Sequence, residues 1–247
     1  MKTKIKLLFL ALAASLMVFS ACKKESHELV IIPTGGGPYG PTSDHFMAGL
    51  GTTPGYPTGT AFTLPANIFI IGDIRGGIQG KDYQVDKQKY TGPFPIVPDD
   101  KAWVDYGTGT FVSLYIKFFN ALPTPSSVTI PGGLIFVDSA DINEHIGVYQ
   151  KGYIMQSITI PVPALDTAFA HIKAYCLNHT LAPSSYNAIY YIGPITNNPD
   201  LNQISTIMAP KQYPIGEEGN IQSIIWNVTD YGLTLTAAEI QYLNSLP

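Results

Sequence analysis

The stretch FVSLYIKFF, Phe111 to Phe119, decides the fold. Val112, Leu114, Ile116 and Phe118 form a purely apolar set, and Phe111, Ser113, Tyr115, Lys117 and Phe119 a mixed one. Side chains along a strand point alternately to its two faces. The segment therefore reads as a β-strand with its even-numbered face in a core. Runs of the same character lie around it: NIFIIGDI from Asn67, SSVTIPGGLIFV from Ser126 and YIMQSITIPV from Tyr153. They are β-branched and aromatic, and Gly, Pro, Asn and Asp bound them. Residues 61–165 are expected to form an antiparallel sandwich or a barrel-like part.

The pattern changes over 166–247. HIKAYCLN from His171 and NAIYYIGPI from Asn187 still read as strands. Three helical signals follow. Leu201, Ile204, Ile207 and Met208 share helical spacing, with Pro199 near the start. Ile221, Ile224, Ile225 and Val228 form one i, i+3, i+4, i+7 stripe. Thr236 and Glu239 stand in capping-box spacing. The expected class is α+β: a β-rich part followed by a mixed strand and helix part. About 187 residues after position 60 can bury a substantial core.

The start of the chain is a targeting segment. MKTKIK carries three lysines, LLFLALAASLMVF is an apolar run, and small residues follow. This is the pattern of a signal peptide over 1–21, and the run is too short for a spanning helix. VFSAC resembles the lipobox of bacterial lipoproteins, with Phe19 where leucine is usual and Cys22 as the acylated residue. The KKES that follows resembles the short signal that sends lipoproteins to the outer face of diderm bacteria. The resemblance implies an outer-membrane, surface-exposed protein that meets the membrane only through its lipid anchor. Residues 22–60 are rich in Gly, Pro, Thr and Ser and read as the lipidated cysteine and a flexible tether.

Composition excludes several classes. The chain holds 14 basic and 18 acidic residues. Without Lys2, Lys4 and Lys6 of the signal the balance is 11 to 18, a net −7. No basic run suited to nucleic acid is present. Charged residues are 13%, against about 25% in typical domains, while Tyr and Phe are plentiful. There is no G-x-S-x-G, and the five histidines show no H-E-x-x-H spacing. No metal or cofactor is expected.

If Cys22 carries lipid, Cys176 is the one cysteine left, in an oxidising compartment. It is a buried inert thiol, a reactive thiol, or half of another cross-link. A Cys–His hydrolase would need His171 or His179, but on a strand these odd positions face away from Cys176.

Two short pieces bear on the choice. Tyr175, Cys176 and Leu177 form one, and Ile221, Gln222, Ile225 and Trp226 the other, with NVTD after the tryptophan. Together they resemble the two signatures of bacterial thioester domains, found in surface adhesins, over roughly 168–247. The resemblance implies that the Cys176 sulfur and the Gln222 side-chain carbonyl form an internal thioester, supported by Tyr175, Leu177, Ile221, Ile225 and Trp226. It implies a single-turnover covalent adhesin rather than a turnover enzyme. The target would be a lysine-bearing protein or another amine on a host or neighbouring cell. Water would be kept out by Tyr175, Tyr186, Tyr190, Tyr191 and Trp226, and His179 or a tyrosine hydroxyl would take the amine's proton. The rival reading is a non-covalent module that binds glycan or protein, with a degenerate thioester fold and a buried free Cys176.

Overall fold

The computed structural model describes residues 47–53, 55–77, 102–140, 147–212 and 216–247. The signal segment, Cys22 and residues up to 46 lie outside these. Eleven strands are described: β1 (Gly59–Ala61), β2 (Ile68–Ile70), β3 (Ile74–Gly76), β4 (Val104–Tyr106), β5 (Val112–Asn120), β6 (Ser126–Ile130), β7 (Leu134–Asp138), β8 (Gly152–Tyr153), β9 (Ile158–Val162), β10 (Thr167–Cys176) and β11 (Ile189–Thr196). Three helices follow: α1 (Pro199–Met208), α2 (Glu218–Thr229) and α3 (Ala237–Ser245).

Six strands close into an antiparallel barrel in the order β5-β3-β11-β7-β8-β10, with β10 returning to β5. The closing seam is the longest pairing, from Thr167 opposite Phe119 to Ala174 opposite Val112. β2 extends the far edge of β5, β1 pairs with β11, and β4 lies parallel to β10. The β6–β9 ribbon lies where β5 ends, tied there by the Asn120 side-chain amide on the Thr124 and Val162 carbonyls at 2.8 and 3.4 Å.

Closure sends alternate residues inward, and side chains fill a barrel of this size. Val112, Leu114, Ile116 and Phe118 of β5 meet Leu134, Phe136, Ala170, Ile172, Ala174, Cys176 and Tyr190 in one buried cluster. The expected even face of FVSLYIKFF is thus the barrel interior. The odd face is more covered than its mixture suggests, since Ser113 and Tyr115 are also buried.

A second cluster lies outside the wall. Ile135, Val137, Tyr153, Met155, Tyr175 and Leu177 pack against Leu201, Ile204 and Met208 of α1, Ile221, Ile224, Ile225 and Val228 of α2, and Leu243 of α3. The capping box of α3 forms as its spacing indicates, and α1 gains a side-chain cap as well. Asn198 caps α1 by accepting from the Leu201 amide, and Thr236 and Glu239 make a complete capping box on α3.

Two features of the fold cross the boundaries read from the sequence. The parts 61–165 and 166–247 share one sheet: β10 and β11 complete the barrel begun by β3, β5, β7 and β8. The Gly/Pro-rich stretch joins the fold before residue 60. Leu50 is buried in the helix-side cluster, and β1 begins at Gly59.

Candidate functional site

Cys176 is the last residue of β10. It follows Ile172 and Ala174 on the inward face, as the alternation requires, and is fully buried. Continuing the β10–β5 register would place Cys176 opposite Thr110, but β5 begins only at Val112. On that side the Cys176 amide and carbonyl meet no strand.

The Gln222 carboxamide takes the missing strand's place. Its Oε1 accepts from the Cys176 N–H at 2.8 Å, and its Nε2 donates to the Cys176 carbonyl at 2.7 Å. Gln222 is itself fully buried. A buried carboxamide is tolerated when its polar atoms have partners, and here both ends do. The position follows from α2. Its Ile221, Ile224, Ile225 and Val228 stripe sits on the outer wall. Gln222, Trp226 and Thr229 lie at i, i+4 and i+7, which forms a neighbouring stripe. Trp226 packs against the barrel cluster and meets Phe111 edge-on at 5.2 Å.

The sulfur is buried among weakly polar neighbours. The Asn178 N–H donates to Sγ at 3.3 Å. Burial pushes the Cys176 thiol up to about 12, against hydrogen bonding from the Asn178 amide, which favours the thiolate. The thiol is therefore protonated at neutral pH.

Residues outside the motifs hold this corner. The Asn178 side chain accepts from the Lys151 amide at 3.1 Å and donates to the Gly51 carbonyl at 2.6 Å, while the Gly51 amide donates to the Leu177 carbonyl at 3.0 Å. Gly51 has φ +55°, and a Cβ there would stand 1.8 Å from the Thr229 carbonyl oxygen. Only glycine lets this turn close over the end of α2. Asp230, just after α2, is buried and accepts from His179 twice: from the backbone at 3.2 Å and from Nδ1 at 2.9 Å. The half-exposed His179 ring lies 5.7 Å from both Trp226 and Tyr231.

The residues expected from the motifs divide into two groups. Cys176, Gln222 and Trp226 come together at the end of the barrel. Tyr175, Leu177, Ile221 and Ile225 face the other way and form the strand–helix contact behind them. Of the remaining rings, Tyr190 belongs to the barrel core and Tyr191 is half-exposed. At the site the aromatic cover is Trp226 with Phe111 beside it. Asn178, Gly51 and Asp230 were missed. The apolar Met47 and Leu50 beside Gly51 are the sequence signal that this segment packs. No protein-family model, no curated protein and no solved structure matches the chain.

Proposed function

We propose that the chain is a surface lipoprotein that attaches covalently to amines through a thioester between Cys176 and Gln222. The observation that carries this reading is the fully buried Gln222 carboxamide, held at both ends on the backbone of Cys176, the one cysteine among the described residues. Bond formation would join Sγ to Cδ of Gln222 and expel Nε2 as ammonia, which takes the thiol proton. Negative charge would develop on Oε1, where the Cys176 N–H already donates at 2.8 Å. An incoming amine would then form a C–N bond as the C–S bond breaks. The Asn178 amide would ease departure of the thiolate, and the proton lost by the amine would return to sulfur. We assign the transfer of that proton to His179, which Asp230 orients and whose ring contacts Trp226.

Lipidation at Cys22, display on the outer membrane and a lysine-bearing target on a host or neighbouring cell complete the proposal. The test is the intact mass of residues 23–247 before and after methylamine, beside Cys176→Ala. A mass short by one ammonia, converted to a methylamine adduct and absent in the variant, is expected. His179→Gln should slow the conversion. A full mass, with a thiol that titrates only on denaturation, would leave the non-covalent binding module. The exposed Tyr56, Phe69, Tyr191 and Tyr231 favour that second reading.

A further inference from the structure

A second constellation lies on the outward face of the β4–β10–β5 layer, on the opposite side of β10 from the thiol. His171 on β10 stands opposite Asp105 on β4 and opposite Tyr115 on β5. Ser113, two residues before Tyr115, is its diagonal neighbour. Diagonal positions across paired strands are within reach of long side chains, and contact is made. His171 Nε2 lies 2.5 Å from Ser113 Oγ, and His171 Nδ1 lies 2.7 Å from Asp105 Oδ1. Asp105 Oδ2 is bound separately, by Lys173 Nζ at 2.5 Å.

The partners fix the direction of each bond. A carboxylate only accepts, so Nδ1 carries the proton and Nε2 of the neutral ring accepts from the Ser113 hydroxyl. Hydrogen bonds from Lys173 and His171 outweigh partial burial and hold Asp105 below the usual carboxylate range. The ring is also held in orientation, stacked on Tyr115 at 4.5 Å and 11°. Trp103 meets Tyr115 and Phe169 edge-on at 4.9 and 5.3 Å, which makes the adjoining wall apolar.

Ser113 is fixed from behind. The Ser184 hydroxyl accepts from the Ser113 amide at 3.1 Å and donates to the Gly77 carbonyl at 2.8 Å, and the Gly77 amide donates to the Ser113 carbonyl at 2.8 Å. A Cβ on Gly77 would stand 2.9 Å from Ser113 Oγ and 2.5 Å from the Tyr115 ring. Glycine at that position is what makes room for the Ser113 hydroxyl and the Tyr115 ring.

We propose that Ser113, His171 and Asp105 form a nucleophilic triad that accepts acyl groups from small carboxylic esters with an apolar chain. The roles follow from geometry rather than from sequence order or fold. Ser113 Oγ attacks the ester carbonyl carbon while its proton passes to His171 Nε2. Asp105 stabilises the imidazolium. The C–O bond to the leaving alcohol breaks, and the alkoxide takes the proton from Nε2. Water then cleaves the acyl-serine by the same exchange, giving the carboxylic acid and free Ser113. Trp103, Tyr115 and Phe169 supply the apolar wall. Because Ser113 is only 7% exposed, the acyl chain must be short.

The experiment treats the full chain with a short-chain alkyl fluorophosphonate and reads intact mass and the modified peptide. One adduct on Ser113, with fluoride lost, is expected. Ser113→Ala should give none. His171→Gln should label at least ~100-fold more slowly, the lower range for general-base assistance. Asp105→Asn changes an exposed residue and keeps the fold, and should also label more slowly. Cys176→Ala should label at the wild-type rate, which separates this site from the thioester. No adduct on the folded wild-type chain, an adduct that persists in Ser113→Ala, or labelling indifferent to His171→Gln and Asp105→Asn would each overturn the triad and leave a cross-strand polar ladder.

Discussion

The two faces of β10 treat reactive side chains in opposite ways. Inward, Cys176 ends a row of Ile172 and Ala174 inside an apolar barrel, and burial suppresses its ionisation. Outward, His171 and Lys173 lean on Asp105 and keep a carboxylate charged at the surface. The inner face withholds charge because burial removes the solvation that an ion needs. The outer face sustains charge because each carboxylate oxygen has its own donor. One strand can therefore carry a buried thiol and a surface charge cluster without contact between them.

The inner face is most sharply tested at Gln222. In a chain whose carboxamide is intact, Gln222→Ala removes both partners of the Cys176 backbone. An unsatisfied buried donor or acceptor costs roughly 1–3 kcal/mol, so this variant should lose about 3–5 kcal/mol in denaturant unfolding. A loss under about 1 kcal/mol would mean that the carboxamide does not replace the missing strand.

A second test uses pH. For a chain with a free thiol, the native value of about 12 lies above the ordinary value of 9.0. Between these limits the unfolded state has released the proton while the folded state still holds it. Stability is fully present below the lower value and falls as pH rises, by about 1.4 kcal/mol per unit. From pH 9 to 10.5 the methylamine-opened chain should lose about 2 kcal/mol relative to Cys176→Ala. The untreated chain should match Cys176→Ala if the thioester is closed, because it has no thiol to titrate. Equal slopes for all three would show that the sulfur pocket is wetter than its contacts indicate.

The contrast also marks what was legible in the sequence. Alternation in FVSLYIKFF placed Val112, Leu114, Ile116 and Phe118 inward, helical spacing placed α1 and α2, and a capping box marked α3. These are local periodicities, and each is complete within a dozen residues. Barrel closure is not local. It depends on β10 pairing with β5 across the β6–β9 ribbon, so the sequence left sandwich and barrel open and divided one sheet in two. Gly51 was obscured by composition: a Gly/Pro-rich stretch resembles a tether until the one close approach that requires glycine is seen. Cys176, Gln222 and Trp226 were marked through resemblance, and the structure brings them together. Ser113, His171 and Asp105 carry no motif, because they meet only through the register of three strands.

The smallest expected effect lies on the outer face. Asp105 is more than half exposed, so solvent screens its pairs with Lys173 and His171, and their worth is limited to about 0.5 kcal/mol. Its carboxyl is held below the ordinary value. That contribution is present above the unfolded value and is lost as pH falls through the folded one. Asp105→Asn should therefore be slightly less stable than wild type at pH 7, with the difference closing as pH falls below about 3.9. The same substitution should slow fluorophosphonate labelling far more than so small a stability change could explain. If stability and labelling fell in proportion, Asp105 would be acting only through the fold. A large loss of labelling on an almost unchanged stability would place its effect on the His171 imidazolium, which is the charge the outer face is built to hold and the inner face is built to exclude.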